Sequence, residues 1–146
     1  MRSPIEICAE LVASIEKAQD AGCKRDLADV FWGELAALAH QRFGTCKQVG
    51  QALQVHKQTV SRWAVCGRRT IVDVNTRTLL NQLAQVLLAQ ENSAAGIYAR
   101  FERELATAAI AQAKGLKVEA CILLGCTSDW LRRALQRQAV AKENAA

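Results

Sequence analysis

The sequence predicts an all-α protein, and three observations support that fold class. The chain of 146 residues contains a single proline and is rich in strong helix formers such as Ala, Leu, Gln and Arg. Apolar residues recur at spacings of three and four, the period of a helix that is buried on one face. The strict alternation typical of half-buried strands is scarce. This length is enough for one sizeable hydrophobic core or two small ones.

Composition argues against several classes of protein. No apolar run approaches the ~20 residues of a membrane span, and the first ten residues lack the basic and then apolar pattern of a secretory signal. We therefore expect no membrane partner and a cytoplasmic location. There is no Gly-rich phosphate loop and there are no paired carboxylates in an apolar setting, so we expect neither an enzyme nor a cofactor.

Six cysteines are present, at positions 8, 23, 46, 66, 121 and 126, and no two of them form a C-x-x-C pair. With two histidines in the chain, the ligand spacing of a zinc site is absent, and we expect no metal. The preferred interpretation is that the cysteines are reduced, buried small residues. A thiol redox sensor is the alternative.

Two helices are predicted before the central motif. Ser3 and Glu6, with a proline between them, provide a capping hydroxyl and an acid near the positive end of the first helix. The apolar stripe of this helix ends near Gly22, where the helix is predicted to stop. This helix either caps the first domain or pairs with a second subunit. The second helix begins near Asp26.

Residues Thr45 to Gly67 are predicted to form two short helices joined by a tight turn. Spacings of four and three keep Val49 over Leu53 and Val60 over Trp63. The interval between these two pairs is out of phase for one continuous helix and too short for a long loop.

The second of these helices is predicted to read DNA. Gly50 is placed where the two helices cross, because a residue without a side chain permits close approach. Lys and Arg on the outward side match guanine acceptors, and Gln can pair with adenine. Gly67 is expected to end the helix, and the two arginines after it either run near the DNA backbone or form a solvated basic loop. The predicted DNA-contacting residues of this motif are Lys47, His56, Lys57, Gln58, Thr59, Ser61, Arg62, Arg68 and Arg69.

From Thr45 to Trp63 the chain reads T-C-K-Q-V-G-Q-A-L-Q-V-H-K-Q-T-V-S-R-W. This stretch resembles the helix-turn-helix of Cro and the phage repressors, and with its flanking helices the resemblance covers about residues 26–91. It implies a lambda-repressor-like N-terminal bundle that binds double-stranded DNA. Gln54 replaces the usual turn glycine and must either adopt a left-handed conformation or shift the turn. Cys46 replaces a residue that is often a DNA-contacting Gln.

The next helix is capped by Asp73 or Asn75, and its leucines cover more than one face, so a second surface of it should be buried. Residues 92–96 are the predicted linker. A further helix over residues 97–114 follows. The predicted domains are therefore 1–91, with the added N-terminal helix, and 97–139, a small C-terminal helical domain, followed by a frayed tail at 140–146.

The template of the first motif fits again on Gly115 to Gln138 when it is shifted by 71 residues, with Gly125 at the turn. Here Thr127 or Ser128 would cap the second helix, and Asp129 adds negative charge at its positive end. The sequence thus predicts two helix-turn-helix units.

Glu119 to Arg137, E-A-C-I-L-L-G-C-T-S-D-W-L-R-R-A-L-Q-R, resembles the C-terminal domain of factor for inversion stimulation and of the enhancer-binding activators, over about residues 100–138. In that family such domains dimerise through helices before the motif. Trp130 replaces a small hydroxyl residue, and Asp129 would repel a phosphate. Two interpretations stay open: a second DNA reader, or a scaffold reused for dimerisation or partner contact. The predicted DNA contacts are Thr127, Ser128, Arg132, Arg133 and Arg137, and no acid beyond Asp129 is evident to pair with the arginines.

Charge is segregated along the chain. Residues 45–80 carry six basic and one acidic side chain, and residues 113–146 carry six and three. Residues 1–44 carry five basic and seven acidic side chains, and residues 81–112 carry two and three. Two basic zones of this kind are expected of a protein that contacts phosphates.

Together these patterns predict a sequence-specific DNA-binding transcriptional regulator, repressor or activator, that acts as a dimer at the nucleoid. RNA polymerase or another regulator is a possible partner. The alternative is a DNA-organising or plasmid or phage partition adaptor that binds repeated sites.

Overall fold

The structure is a computed structural model that describes residues 2–18 and 24–145, with side chains described as far as Arg137. These residues form eight helices and no strand, which confirms the all-α prediction. The helices are α1 (Pro4–Lys17), α2 (Lys24–Phe43), α3 (Cys46–Leu53), α4 (Lys57–Arg69), α5 (Val74–Gln90), α6 (Ala94–Gln112), α7 (Lys117–Leu124) and α8 (Ser128–Ala145). None of the described helices is long and apolar enough to cross a membrane.

Close contacts divide the chain into two compact units. The first is formed by Arg25–Ile97 and holds α3, α4 and α5 with nearly all of α2. The second combines Arg2–Lys24 with Tyr98–Ala146, and so holds α1, α7, α8 and most of α6. The N-terminal helix, predicted as an addition to the first domain, therefore belongs to the second unit. A buried stripe indicates that a helix packs, but not which element it packs against.

Two segments predicted to be irregular are helical. α6 begins at Ala94, inside the predicted linker, because the Ser93 hydroxyl accepts a hydrogen bond from the Gly96 N–H at 3.1 Å and caps the helix. α8 continues to Ala145 through the predicted frayed tail, whose Ala, Lys and Glu residues favour helix. The predicted stop of the first helix at Gly22 lies outside the described residues.

Each unit buries its own set of large apolar side chains. In the first unit the fully buried ones include Phe31, Leu35, Leu53, Leu80, Leu83 and Leu87. In the second unit they include Ile7, Leu11, Phe101, Leu105 and Leu124. As predicted, α5 is buried on more than one face, through Leu79, Leu80, Leu83, Val86, Leu87 and Leu88.

Candidate nucleic-acid interface

α3 and α4 are joined by a three-residue turn whose ends are set by local hydrogen bonds. The Thr45 hydroxyl accepts from the Gln48 N–H at 3.3 Å, and the Gln48 side chain accepts from the Thr45 N–H at 2.8 Å, which fixes the start of α3. α3 ends at Leu53, and Gln54, the residue that caps it, has a left-handed backbone (φ 62°, ψ 45°). α4 begins after His56, whose Nδ1 accepts from the Gln58 N–H at 3.1 Å. The turn therefore keeps its position, and Gln54 adopts the conformation that glycine usually supplies.

Gly50 is buried against this turn. A Cβ on Gly50 would lie 2.6 Å from the carbonyl oxygen of Val55 and 3.4 Å from the backbone nitrogen of Lys57. The missing side chain thus makes room for the turn and for the first residue of α4.

One side of α4 carries six of the nine predicted DNA contacts of the first motif; all six are exposed, and the half-buried Val65 lies between those at the two ends of the helix. The opposite side carries the buried Val60 and Gly67, and Trp63, whose ring stacks on Trp32 with ring centres 4.5 Å apart. Thr59 is half-buried and lies outside the exposed side. At about 100° per residue, the exposed contacts fall within an arc of roughly 140°. They are Lys57, Gln58, Ser61, Arg62, Arg68 and Arg69.

The prediction that Arg68 and Arg69 lie in a loop is wrong, because both belong to the last turn of α4. Gly67 does not end the helix; its lack of a side chain permits a backbone contact with Gly33 of α2. The two arginines therefore extend the exposed side of α4, and their charges complement the negative end of the helix dipole.

Three other predicted residues meet beside the turn. Lys47, His56 and Lys57 are exposed and line one shallow depression between α3 and the start of α4. Gln51 and Gln54 line the same depression and were not predicted as contacts. Gln51 follows Lys47 by one helical turn, and this spacing could have indicated from the sequence that Gln51 lies on the same face of α3 as Lys47.

The basic side chains of α4 are not neutralised by neighbours. Within the described residues none of them forms an ion pair, whereas Arg77 of α5 lies 3.6 Å from Glu34. Asp73, the single acid of residues 45–80, accepts a 2.8 Å hydrogen bond from the Thr76 N–H and caps α5. Hydrogen bonds from the Thr76 side chain and backbone hold the pKa of Asp73 below its usual value. The surface of α4 therefore keeps its positive charge available for a ligand.

α7 and α8 repeat this local geometry. They are also joined by a three-residue turn, and both ends of α7 lie 71 residues after those of α3. The turn begins at Gly125 with a left-handed backbone (φ 62°, ψ 39°). Of the two predicted caps, Thr127 is the one whose hydroxyl accepts from the Trp130 N–H, at 3.1 Å. Thr127 and Ser128 are both exposed.

The arginines of α8 differ from those of α4 because each has an acidic partner. Asp129 lies 2.5 Å from Arg132 and 3.2 Å from Arg133. A hydrogen bond from Arg132 and the charge of Arg133 hold the pKa of Asp129 below its usual value. Arg137 lies 3.3 Å from Glu102 of α6.

The prediction that the arginines of α8 meet no acid beyond Asp129 is wrong because of Glu102. That side chain is only 5% exposed and accepts a 2.9 Å hydrogen bond from the indole nitrogen of Trp130. The Arg137 guanidinium also lies over the Tyr98 ring, 5.0 Å from its centre. Trp130 could have indicated an acceptor such as Glu102 from the sequence, because a partly buried indole N–H usually has a hydrogen-bond partner.

The described cysteines are free thiols that differ in exposure. Cys8 is buried, as predicted for all of them, whereas Cys46, Cys66, Cys121 and Cys126 are half-buried. Burial, and secondarily the charge of Glu104, raises the pKa of Cys8 far above its usual range. Burial also raises the pKa of Cys126 to about 11. In the part of the chain that the structure describes, no group of three or more His, Cys, Asp or Glu residues could hold a metal ion.

No protein-family model, curated protein or solved structure matches the chain. The resemblance of its two motifs to known helix-turn-helix patterns therefore stays a prediction. The structure adds the local shape of both segments, which is two helices joined by three residues through a left-handed first residue.

Proposed function

We propose that the protein is a sequence-specific DNA-binding transcriptional regulator that places the exposed side of α4 in the major groove. The observation that carries this proposal is the single, unneutralised basic side of α4, which runs from Lys57 to Arg69. Helix-turn-helix proteins present a recognition helix in this way, between a tight turn and a well-packed inner side.

The proposed contacts divide by position along α4. Lys57 and Arg62 suit the guanine acceptors of the major groove, and Gln58 suits adenine, which can bond to both atoms of its amide. Arg68 and Arg69, at the other end of the helix, are proposed to contact phosphates, which fix register rather than sequence. Lys47 on α3, which lies beside the start of α4, is proposed to contact the DNA backbone there.

A second copy of the chain is part of this proposal. One such unit presents few base contacts, and helix-turn-helix proteins gain specificity by binding two half-sites about 34–36 Å apart. We propose a homodimer that acts at the nucleoid, either by excluding RNA polymerase or by contacting it or another regulator.

The test is footprinting of genomic fragments with the purified protein, followed by titration of one protected site and of random DNA over a range of salt concentrations. We expect discrete protected sites. We also expect the logarithm of the binding constant to fall linearly with the logarithm of the salt concentration, with a slope of about −0.9 for each phosphate contact. Equal affinity for every fragment, or no binding at low salt, overturns the proposal.

A second candidate function is a DNA-organising or partition adaptor, in which the α7–α8 pair contacts a partner or a second copy. Two observations favour it. The arginines of α8 are paired with Asp129 and Glu102. The α7 region exposes large apolar side chains, with Leu116 61%, Val118 72% and Ile122 60% exposed. Protected sites that form tandem repeats away from promoters support the adaptor over the regulator.

A further inference from the structure

The thiol of Cys46 lies where three helices of the first unit meet. Cys46 is the first residue of α3 and is half-buried. Its Sγ is 3.8 Å from Nε2 of His40 on α2 and 3.4 Å from Oγ of Ser61 on α4. The sequence placed these residues 6 and 15 positions away from Cys46, and only the packing of the helices brings them together.

The hydrogen bond at Nδ1 of His40 determines which of the two ring nitrogens carries the hydrogen in the neutral side chain. Nδ1 of His40 lies 2.7 Å from the carbonyl oxygen of Gly44. A carbonyl oxygen only accepts hydrogen bonds, so Nδ1 must carry the hydrogen. In the neutral ring Nε2 then presents a lone pair toward the Cys46 thiol. The arrangement is a nucleophile, a base and a third group that orients the base.

Two neighbours lie within hydrogen-bonding distance of the sulfur. After proton transfer, the protonated ring of His40 would donate a hydrogen bond to the sulfur, and the Ser61 hydroxyl would donate a second. Cys46 is also the first residue of α3, so its sulfur lies at the N-terminal end of that helix.

We propose that Cys46 is a modification site that forms a mixed disulfide with low-molecular-weight disulfides, and that the adduct blocks the DNA-binding side of α4. The thiol proton passes to Nε2 of His40, and the Cys46 sulfur attacks one sulfur of the small disulfide. A new S–S bond forms as the old one breaks, so Cys46 is oxidised and the leaving sulfur is reduced. The leaving thiolate takes up the proton from His40. A small thiol reverses the reaction by the same exchange.

The blocking step rests on the proposed function. Cys46 Sγ touches Ser61, which lies on the exposed side of α4 between Lys57 and Arg62. A bulky, anionic adduct at that sulfur would occupy space needed by the DNA backbone and repel its phosphates. A methylthio adduct is small and uncharged, so it should weaken DNA binding much less.

The first experiment measures thiol reactivity and needs no DNA. The full chain is treated with oxidised glutathione at neutral pH, and the modified peptides are quantified over time by mass spectrometry. Cys46 should react at least about tenfold faster than Cys66, a half-buried cysteine of α4 that serves as the internal control. His40→Asn keeps a donor for the Gly44 carbonyl but removes the base, and it should slow Cys46 to the rate of Cys66.

Equal rates at Cys46 and Cys66, or an unchanged rate in a folded His40→Asn protein, overturn the proposal. If His40→Asn does not fold, the rate at Cys46 in the native protein is compared with that in urea. Faster reaction in the native protein supports activation by the fold, and equal or slower reaction overturns it.

The second experiment measures DNA binding of three samples: unmodified protein, protein carrying glutathione on Cys46, and protein carrying a methylthio group (Cys–S–S–CH3) from methyl methanethiosulfonate. The glutathione adduct should bind the protected site at least about tenfold more weakly, with recovery in dithiothreitol, and Cys46→Ser should bind normally with or without oxidised glutathione. Rapid modification that leaves affinity unchanged overturns the blocking step. If the unmodified protein binds no DNA, the proposed function fails, while the reactivity result still decides the modification site.

Discussion

Gly33 of α2 and Gly67 of α4 touch backbone to backbone, so that a Cβ on either residue would lie 2.6 Å from the Cα of the other. No side chain fits at either position without moving one of the helices. The stack of Trp32 on Trp63, one residue before Gly33 and four before Gly67, fills the space beside this contact. The depth at which α4 sits on α2, and therefore the placement of its exposed side, depends on these two glycines.

Replacing Gly67 by Ala should destabilise the first unit by about 1–3 kcal/mol, because overpacking outweighs the gain in helix propensity. Chemical unfolding followed by circular dichroism measures this. Gly96→Ala is the matched control, since a Cβ there would approach only the movable side chains of Glu91 and Ser93, at 3.0 and 3.3 Å. Equal stability of Gly67→Ala and the parent protein would mean that the two helices can separate without cost.

Gln54 and Gly125 adopt the same backbone φ of 62° at equivalent positions of the two turns. A non-glycine residue in this conformation costs about 1–2 kcal/mol. Gln54→Gly should therefore raise the free energy of unfolding by about 1 kcal/mol, and Gly125→Ala should lower it by a similar amount. Thermal and urea unfolding of the two variants provide the measurement. Changes of the same sign in both would contradict the backbone explanation.

The predictable part of this molecule is the part set by neighbours in sequence. Capping by Ser3, Asp73 and Thr127 follows from hydrogen bonds that span three residues, and the sequence displays both partners of each. The two turns follow for the same reason, from helical spacing on either side of a short break.

The contacts that could not be predicted from the sequence join residues that lie far apart in the chain. Gly67 followed by two arginines has the pattern of a helix end, and nothing in that pattern shows that Gly33 touches it. Glu102 lies 28 residues from Trp130, and the unit that receives α1 is likewise set by tertiary contacts. Local rules therefore located the two motifs but could not tell which arginines stay free to meet a ligand.

The proposed DNA contacts should separate into two kinds on substitution. Lys57→Ala and Arg62→Ala should each weaken the specific site by about 1–3 kcal/mol and random DNA by less, because they remove base contacts. Electrophoretic mobility shifts on both DNAs measure the difference. Lys17→Ala, at an exposed lysine of α1, is the control and should change neither affinity. Equal weakening on both DNAs would assign Lys57 and Arg62 to phosphates.

Arg68→Ala and Arg69→Ala should weaken specific and random DNA alike and reduce the salt slope by about one unit for each lost phosphate contact. The physical reason is that a phosphate contact carries charge but no sequence information. Titrations at several salt concentrations give the slope. An unchanged slope in both variants would remove the end of α4 from the interface.

Arg137 and Arg133 should behave differently although both lie on α8. Arg137→Ala leaves the buried carboxylate of Glu102 with its indole hydrogen bond but without the cation at 3.3 Å, and a poorly satisfied buried group costs about 1–3 kcal/mol. Arg133→Ala should cost far less, because its pair with Asp129 is exposed on both sides and screened by water. Urea unfolding of the two variants tests this contrast.

The same pair of variants then decides what the second motif contacts. Breaking an exposed pair is cheap, so Arg133 remains able to exchange Asp129 for a phosphate, whereas Arg137 is held by Glu102. If α8 reads DNA, Arg133→Ala together with Arg132→Ala should shorten the footprint and flatten the salt dependence while the fold and the oligomeric state stay intact.

If α7 and α8 contact a second copy or a partner, the arginine double variant keeps the full footprint. A second double variant, Val118→Asp with Ile122→Asp, then disrupts association, because it replaces two exposed apolar side chains by charged ones. Footprinting and sedimentation of both double variants measure the two outcomes side by side.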